Sequence, residues 1–72
     1  MKSWQADIID EAMKRQGGIT QKALAELLSV RPEHISALRT GSRPISNKLA
    51  VKLGAMISVP PAKLIERRML EG

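Results

Sequence analysis

Cysteine is absent from the 72 residues. That excludes disulfides, thiolate zinc sites and thiol catalysis, and it suits a reducing compartment. Phenylalanine and tyrosine are also absent, and Trp4 is the single aromatic residue. Leu, Ile, Val, Met and Ala must therefore fill the core, with Trp4 expected to be a large part of it. The one histidine, His34, has no second imidazole and no thiolate with which to hold a metal. Partial packing or a phosphate contact suits it better. No apolar stretch approaches the roughly 20 residues that a membrane span requires. The opening "MKSWQADIIDEAMK" holds three acids, Asp7, Asp10 and Glu11, and lacks the apolar run of a signal peptide. A soluble, cytoplasmic protein is expected. There is no His/Cys/Asp constellation and no glycine-rich phosphate loop, so neither enzymatic activity nor a cofactor is expected.

What the chain does have is a one-sided charge. The formal net charge is +5. Residues 1–30 balance to zero, with Lys2, Lys14, Arg15 and Lys22 against Asp7, Asp10, Glu11 and Glu26. Residues 31–52 hold Arg31, Arg39, Arg43, Lys48 and Lys52 against Glu33 alone, a balance of +4. Residues 53–72 add +1. Basic residues concentrated on one segment are the electrostatic footprint of a polyanionic partner, the other reading being a solvated basic face.

Length limits the chain to one domain over residues 1–72. Its apolar spacing predicts five short helices and no strand or repeat. Trp4, Ile8, Ile9, Ala12 and Met13 share one helical face between Ser3 and Gln16, ended by Gly17-Gly18. Thr20 caps a second helix whose inner face is Ala23, Leu24, Leu27 and Leu28, and Ile19 before the cap can pack on Leu24. Pro32 opens a third helix at the position where a missing N–H matters least, and Gly41 closes it. Its apolar anchors, Ile35 and Leu38, form a sparse stripe that leaves Glu33, Ser36, Ala37 and Thr40 to face outward. "GSRPIS" is a turn, after which Ser46 caps a fourth helix with Leu49, Ala50, Leu53, Met56 and Ile57 inward. Gly54 within it suggests close helix packing. Pro60-Pro61 opens a fifth helix carrying Leu64, Ile65, Met69 and Leu70.

The stretch from about residue 18 to 66 resembles the helix-turn-helix family of phage Cro and repressor proteins, also called the Xre family. The resemblance is carried by Thr20-Gln21 opening a helix, Ala25 in its middle, Val30 at the turn, Ile35 as a β-branched anchor and Gly41 at the close. Two positions depart from the family pattern. Ser29 stands where glycine is common, and Arg31 stands where a Ser or Thr cap is common. The resemblance implies an all-α, lambda-repressor-like bundle of five helices with its helix-turn-helix at residues 20–41. It further implies a sequence-specific, dimeric, bacterial or phage-type regulator that reads duplex DNA with the helix Pro32–Thr40. Within the family, "RPEHISALRTGSRPIS" looks most like antitoxins of the HigA type. That implies an alternative in which the chain neutralises a partner toxin and autoregulates its operon.

By this resemblance Glu33, Ser36 and Ala37 meet base edges. Glu accepts from cytosine N4, Ser is permissive and the Ala methyl suits thymine. Guanine and phosphate are both open to Arg31, which is counted with the base contacts. Gln21 matches the family's phosphate clamp, and Thr40, Ser42, Arg43, Asn47 and Lys48 complete the expected backbone footprint. Leu64, Ile65, Met69 and Leu70 are candidates for the dimer interface in residues 61–72, with core filling the other role open to them.

Overall fold

The computed structural model describes residues 3–71. Its helices are α1 (Trp4–Arg15), α2 (Gln21–Leu28), α3 (Pro32–Thr40), α4 (Asn47–Ile57) and α5 (Pro61–Glu71), and no strand occurs among the described residues. α1 lies against α3 and α4, α2 packs on α3, and α5 packs on α4. The fold is thus the expected all-α bundle. Helix starts follow capping chemistry: Thr20 Oγ1 accepts from the Ala23 N–H (3.1 Å) and Ser46 Oγ from the Leu49 N–H (3.2 Å). Ser3 precedes α1 but does not cap it; its hydroxyl reaches across to the carbonyls of Leu38 and Arg39.

The core comprises Ile9 and Ala12 of α1, Leu24, Ala25 and Leu28 of α2, Ile35 and Leu38 of α3, Leu49, Ala50, Leu53 and Ile57 of α4, and Leu64 of α5. Ile45 joins them from the turn before α4 and is fully buried. Four sequence expectations shift here. The buried face of α1 is Gln5, Ala6, Ile9 and Ala12, and Trp4, Ile8 and Met13 lie half-buried at its margins. Leu27, expected inside, is 52% exposed, because α2 turns Ala25 inward instead. Met56 is half-buried. Leu64, a candidate interface residue, is 3% exposed, so its surface is already covered within one chain.

Gln5 is the one buried polar residue among those described. Its Nε2 donates to the carbonyls of Leu38 and Arg43, both at 2.7 Å, and its Oε1 accepts from the Ile45 N–H at 3.2 Å. One amide thereby satisfies three backbone groups in and after the end of α3. Arg39 donates to the Asp10 carboxylate nearby, a second tie between α1 and α3.

The structure also contains a repeated corner that the sequence reading passes over. Leu28-Ser29-Val30-Arg31-Pro32 leads into α3, and Ile57-Ser58-Val59-Pro60-Pro61 leads into α5. Ser29 (φ 58°, ψ 42°) and Ser58 (φ 58°, ψ 40°) are both left-handed. The Val30 N–H donates to the Ala25 carbonyl and the Val59 N–H to the Gly54 carbonyl, each at 2.9 Å. A left-handed serine costs about 1–2 kcal/mol, and these returning bonds hold it. Each corner requires a small residue beneath it. A Cβ on Gly54 would stand 2.4 Å from the Val59 carbonyl oxygen and 3.4 Å from the Pro61 nitrogen, so Gly54 admits the returning loop and the start of α5.

Replacing Gln5 tests the tie it makes. Gln5→Leu strands the Arg43 carbonyl and the Ile45 N–H, and should cost about 2–6 kcal/mol at about 1–3 per buried unpaired group. Gln5→Glu has the same shape, but it turns acceptors toward two carbonyls and should rescue little. Urea unfolding with an unchanged m-value would register both losses. A Gln5→Glu variant as stable as the parent chain would contradict the hydrogen-bond assignment.

Candidate nucleic-acid interface

α2, the Ser29–Arg31 corner and α3 make the helix-turn-helix. Ile35 and Leu38 bury one side of α3 completely. Glu33, Ser36 and Thr40 are exposed on the other side and Ala37 is half-buried. A helix held by one face, with short polar side chains on the other, can enter a major groove about 12 Å wide.

Arg31, Glu33, His34, Ala37 and Arg43 line an open groove of about 370 Å³ at the front of α3. Arg31 occupies the position before α3 without capping it: no side-chain bond closes the helix, and its carbonyl accepts the His34 N–H at 2.9 Å. The guanidinium is therefore left at the surface beside the groove. Arg43 arrives from the turn after α3. Its own N–H donates to the Ala37 carbonyl (3.2 Å), and its carbonyl accepts from Gln5. Its Nη1 lies 3.3 Å from His34 Nδ1 and 3.5 Å from Nε2. Partial burial, and then the charge of Arg43, hold the imidazole below its ordinary pKa.

The other predicted residues form smaller groups. Gln21 Nε2 is 3.4 Å from Ser36 Oγ, so the expected clamp residue of α2 and a base-facing residue of α3 are neighbours. Thr40 Oγ1 donates to the Ala37 carbonyl (3.2 Å) and lies 2.9 Å from Ser42 Oγ. Asn47 stands exposed at the start of α4, where its Oδ1 accepts from Arg68 (3.1 Å). Lys48 is exposed beside it.

The five cations of residues 31–52 are not equivalent. Arg39 is turned onto Asp10, and Lys52 Nζ donates to the Leu28 carbonyl at the end of α2 (3.3 Å). Arg31, Arg43 and Lys48 stay exposed. His34, expected to be partly packed or to meet a phosphate, is half-buried and shares the groove. One residue near the site escapes the sequence reading. Arg68 donates to the Ile45 carbonyl (2.7 Å) and to Asn47, bracing the turn from α5. No local pattern marks it.

A helical fold with one protruding, polar helix beside exposed cations suits a DNA-binding class of protein. A helix-turn-helix family model, of the Cro/C1 type, matches residues 9–64. The chain belongs to this family and is a DNA-binding helix-turn-helix regulator. Comparisons with curated proteins and with solved structures return no match. Among the described residues no helix is long and apolar enough to cross a membrane.

Arg43→Ala and Lys48→Ala should weaken binding to specific and non-specific duplexes about equally. Each should lower the slope of log K against log salt by about 1. Titrations over a salt series measure this. A loss confined to one preferred duplex, with the slope unmoved, would exclude both as phosphate contacts.

Proposed function

We propose that this regulator acts in the cytoplasm, in the manner of Cro and repressor proteins, binding particular duplex sites through α3 as a homodimer. The observation that carries the reading is the outward side of α3. Glu33, Ser36 and Ala37 lie there, free of the core, and Arg31 flanks them. Gln21, Thr40, Ser42, Arg43, Asn47 and Lys48 surround that surface with donors for the phosphate backbone. Phosphate contacts supply most of the affinity, and the few base contacts choose the site.

Selection of bound duplexes from a random library, at stated salt, tests the specificity. A defined preferred site is expected for the parent chain. Glu33→Ala and Ser36→Ala should each shift it, with about 1–3 kcal/mol of discrimination lost per good base contact. An unchanged preferred site in both variants would remove these residues from the reading head.

Support for two subunits comes from α5. Met69 is 75% and Leu70 79% exposed, and Ile65 is half-buried beside them. One α3 reads too few bases to define a genomic site, whereas two-fold pairing doubles the read length and sets half-sites about 10–10.5 base pairs apart, or a multiple of that. Met69→Glu with Leu70→Glu should abolish cooperative binding to a full site and leave half-site binding intact, as seen in mobility-shift titrations. Both side chains lie outside the core, so this pair separates assembly from folding, which Leu64→Glu would not. A full site saturated by one subunit without cooperativity would refute the dimer. The antitoxin alternative, suggested by the sequence around "GSRPIS", would instead place a toxin protein on the chain and a toxin gene beside its own.

A further inference from the structure

The groove in front of α3 brings Arg43, already assigned to the phosphate backbone, against His34, to which the assignment above gives no part. His34 projects from the first turn of α3 and Arg43 from the turn after it. The chain returns so that the two side chains meet, with Arg43 Nη1 3.3 Å from His34 Nδ1. The backbone at Arg43 is fixed on both sides, by its N–H on Ala37 and by Gln5 on its carbonyl. The guanidinium therefore projects from an anchored base. It has five N–H donors, and a neutral imidazole nitrogen takes up only one.

We propose that His34 and Arg43 together seat one phosphate of the duplex backbone in this groove, with the imidazole entering the contact in its protonated, donating form. The inference rests on the reading of α3 as the DNA-facing helix. In the free chain Arg43 repels a second positive charge on the ring. A phosphate monoanion reverses the local field: it accepts from the guanidinium and favours a proton on His34. The other charged groups lining the groove are Arg31, which adds to the attraction, and Glu33, which opposes phosphate and favours the protonated ring. The proton comes from solvent and no bond other than hydrogen bonds is made or broken. Because binding raises the pKa of His34, duplex affinity rises as pH falls through the window between its free and bound values. The free value lies below the ordinary 6.5.

His34 is the only histidine, so the effect has a single side-chain source near neutrality. Each unit by which binding raises its pKa corresponds to about tenfold in affinity. Fluorescence anisotropy with a labelled mixed-sequence duplex, at constant salt between about pH 8 and pH 5.5, reads this directly. The parent chain should bind about five- to tenfold more tightly at the lower pH. His34→Gln keeps a hydrogen-bonding side chain and cannot be protonated. It should lose the gain in affinity toward the lower pH and show a flattened profile. In parallel, the His34 Cε1 proton, followed by NMR, should titrate at a higher pH in the bound chain than in the free chain. Coincident pH profiles for the two proteins, or an imidazole pKa unchanged or lowered on binding, would overturn the inference and leave DNA binding standing. Failure of both proteins to bind duplex at any pH would overturn the DNA reading itself, and the inference with it.

Discussion

The side-chain amide of Gln5 sits where α1, the end of α3 and the turn before α4 converge. A turn in that position has inward-pointing backbone groups that no helix can satisfy, and burying them unpaired would destabilise so small a domain severely. Gln5 supplies two donors and an acceptor in the required directions. With the turn held, Ile45 can plug the core behind it, and Arg43 is fixed at the edge of the groove. Among the described residues no buried side-chain nitrogen or oxygen is left without a partner. The placement of the candidate DNA-contacting surface therefore depends on a polar group at the centre of the molecule, as well as on the apolar packing of α2 against α3.

Electrostatics divides along the same line. Arg39, Lys52 and Arg68 are directed at a carboxylate or at backbone carbonyls and hold elements together. Arg31, Arg43 and Lys48 remain at the surface. A charge count along the chain assigns all five cations of residues 31–52 to one patch, but the fold leaves three of them for a partner. An arginine whose charge is matched by a nearby aspartate contributes little to a long-range field, so Arg39 adds little to the attraction for a polyanion.

Much of the architecture was legible because it is local. Thr20, Pro32, Gly41 and Ser46 mark helix ends through chemistry confined to a few neighbouring residues, and the spacing of Ile35 and Leu38 defines the inward side of α3. The features that were not legible depend on distant partners. Nothing in "SWQAD" shows that Gln5 will be buried, since its partners lie 33 to 40 positions away. α1 buries Gln5 with Ala6, Ile9 and Ala12, and Trp4 and Ile8 lie at the margin. Leu27 reads as a core residue by spacing alone, but it is Ala25 that α2 buries. The groove-lining role of His34 needs the turn after α3 to double back, and only the fold shows that it does.

The twin corners at Ser29-Val30 and Ser58-Val59 mean that α3 and α5 leave their preceding helices by the same backbone path. Near the corners, residues 29 positions apart correspond: Ile35 and Leu64 both point inward, and Ser36 and Thr40 stand opposite Ile65 and Met69, but buried Leu38 is matched by exposed Arg67. The fold has one bracket, mounted twice, and the two mountings differ in coating. On α3 the outer coat is hydroxylic and on α5 it is aliphatic. Since the bracket is made of main-chain bonds and a small residue beneath them, either coat is free to change in composition without altering the direction in which its helix points. The two outer surfaces can thus diverge independently on a shared frame.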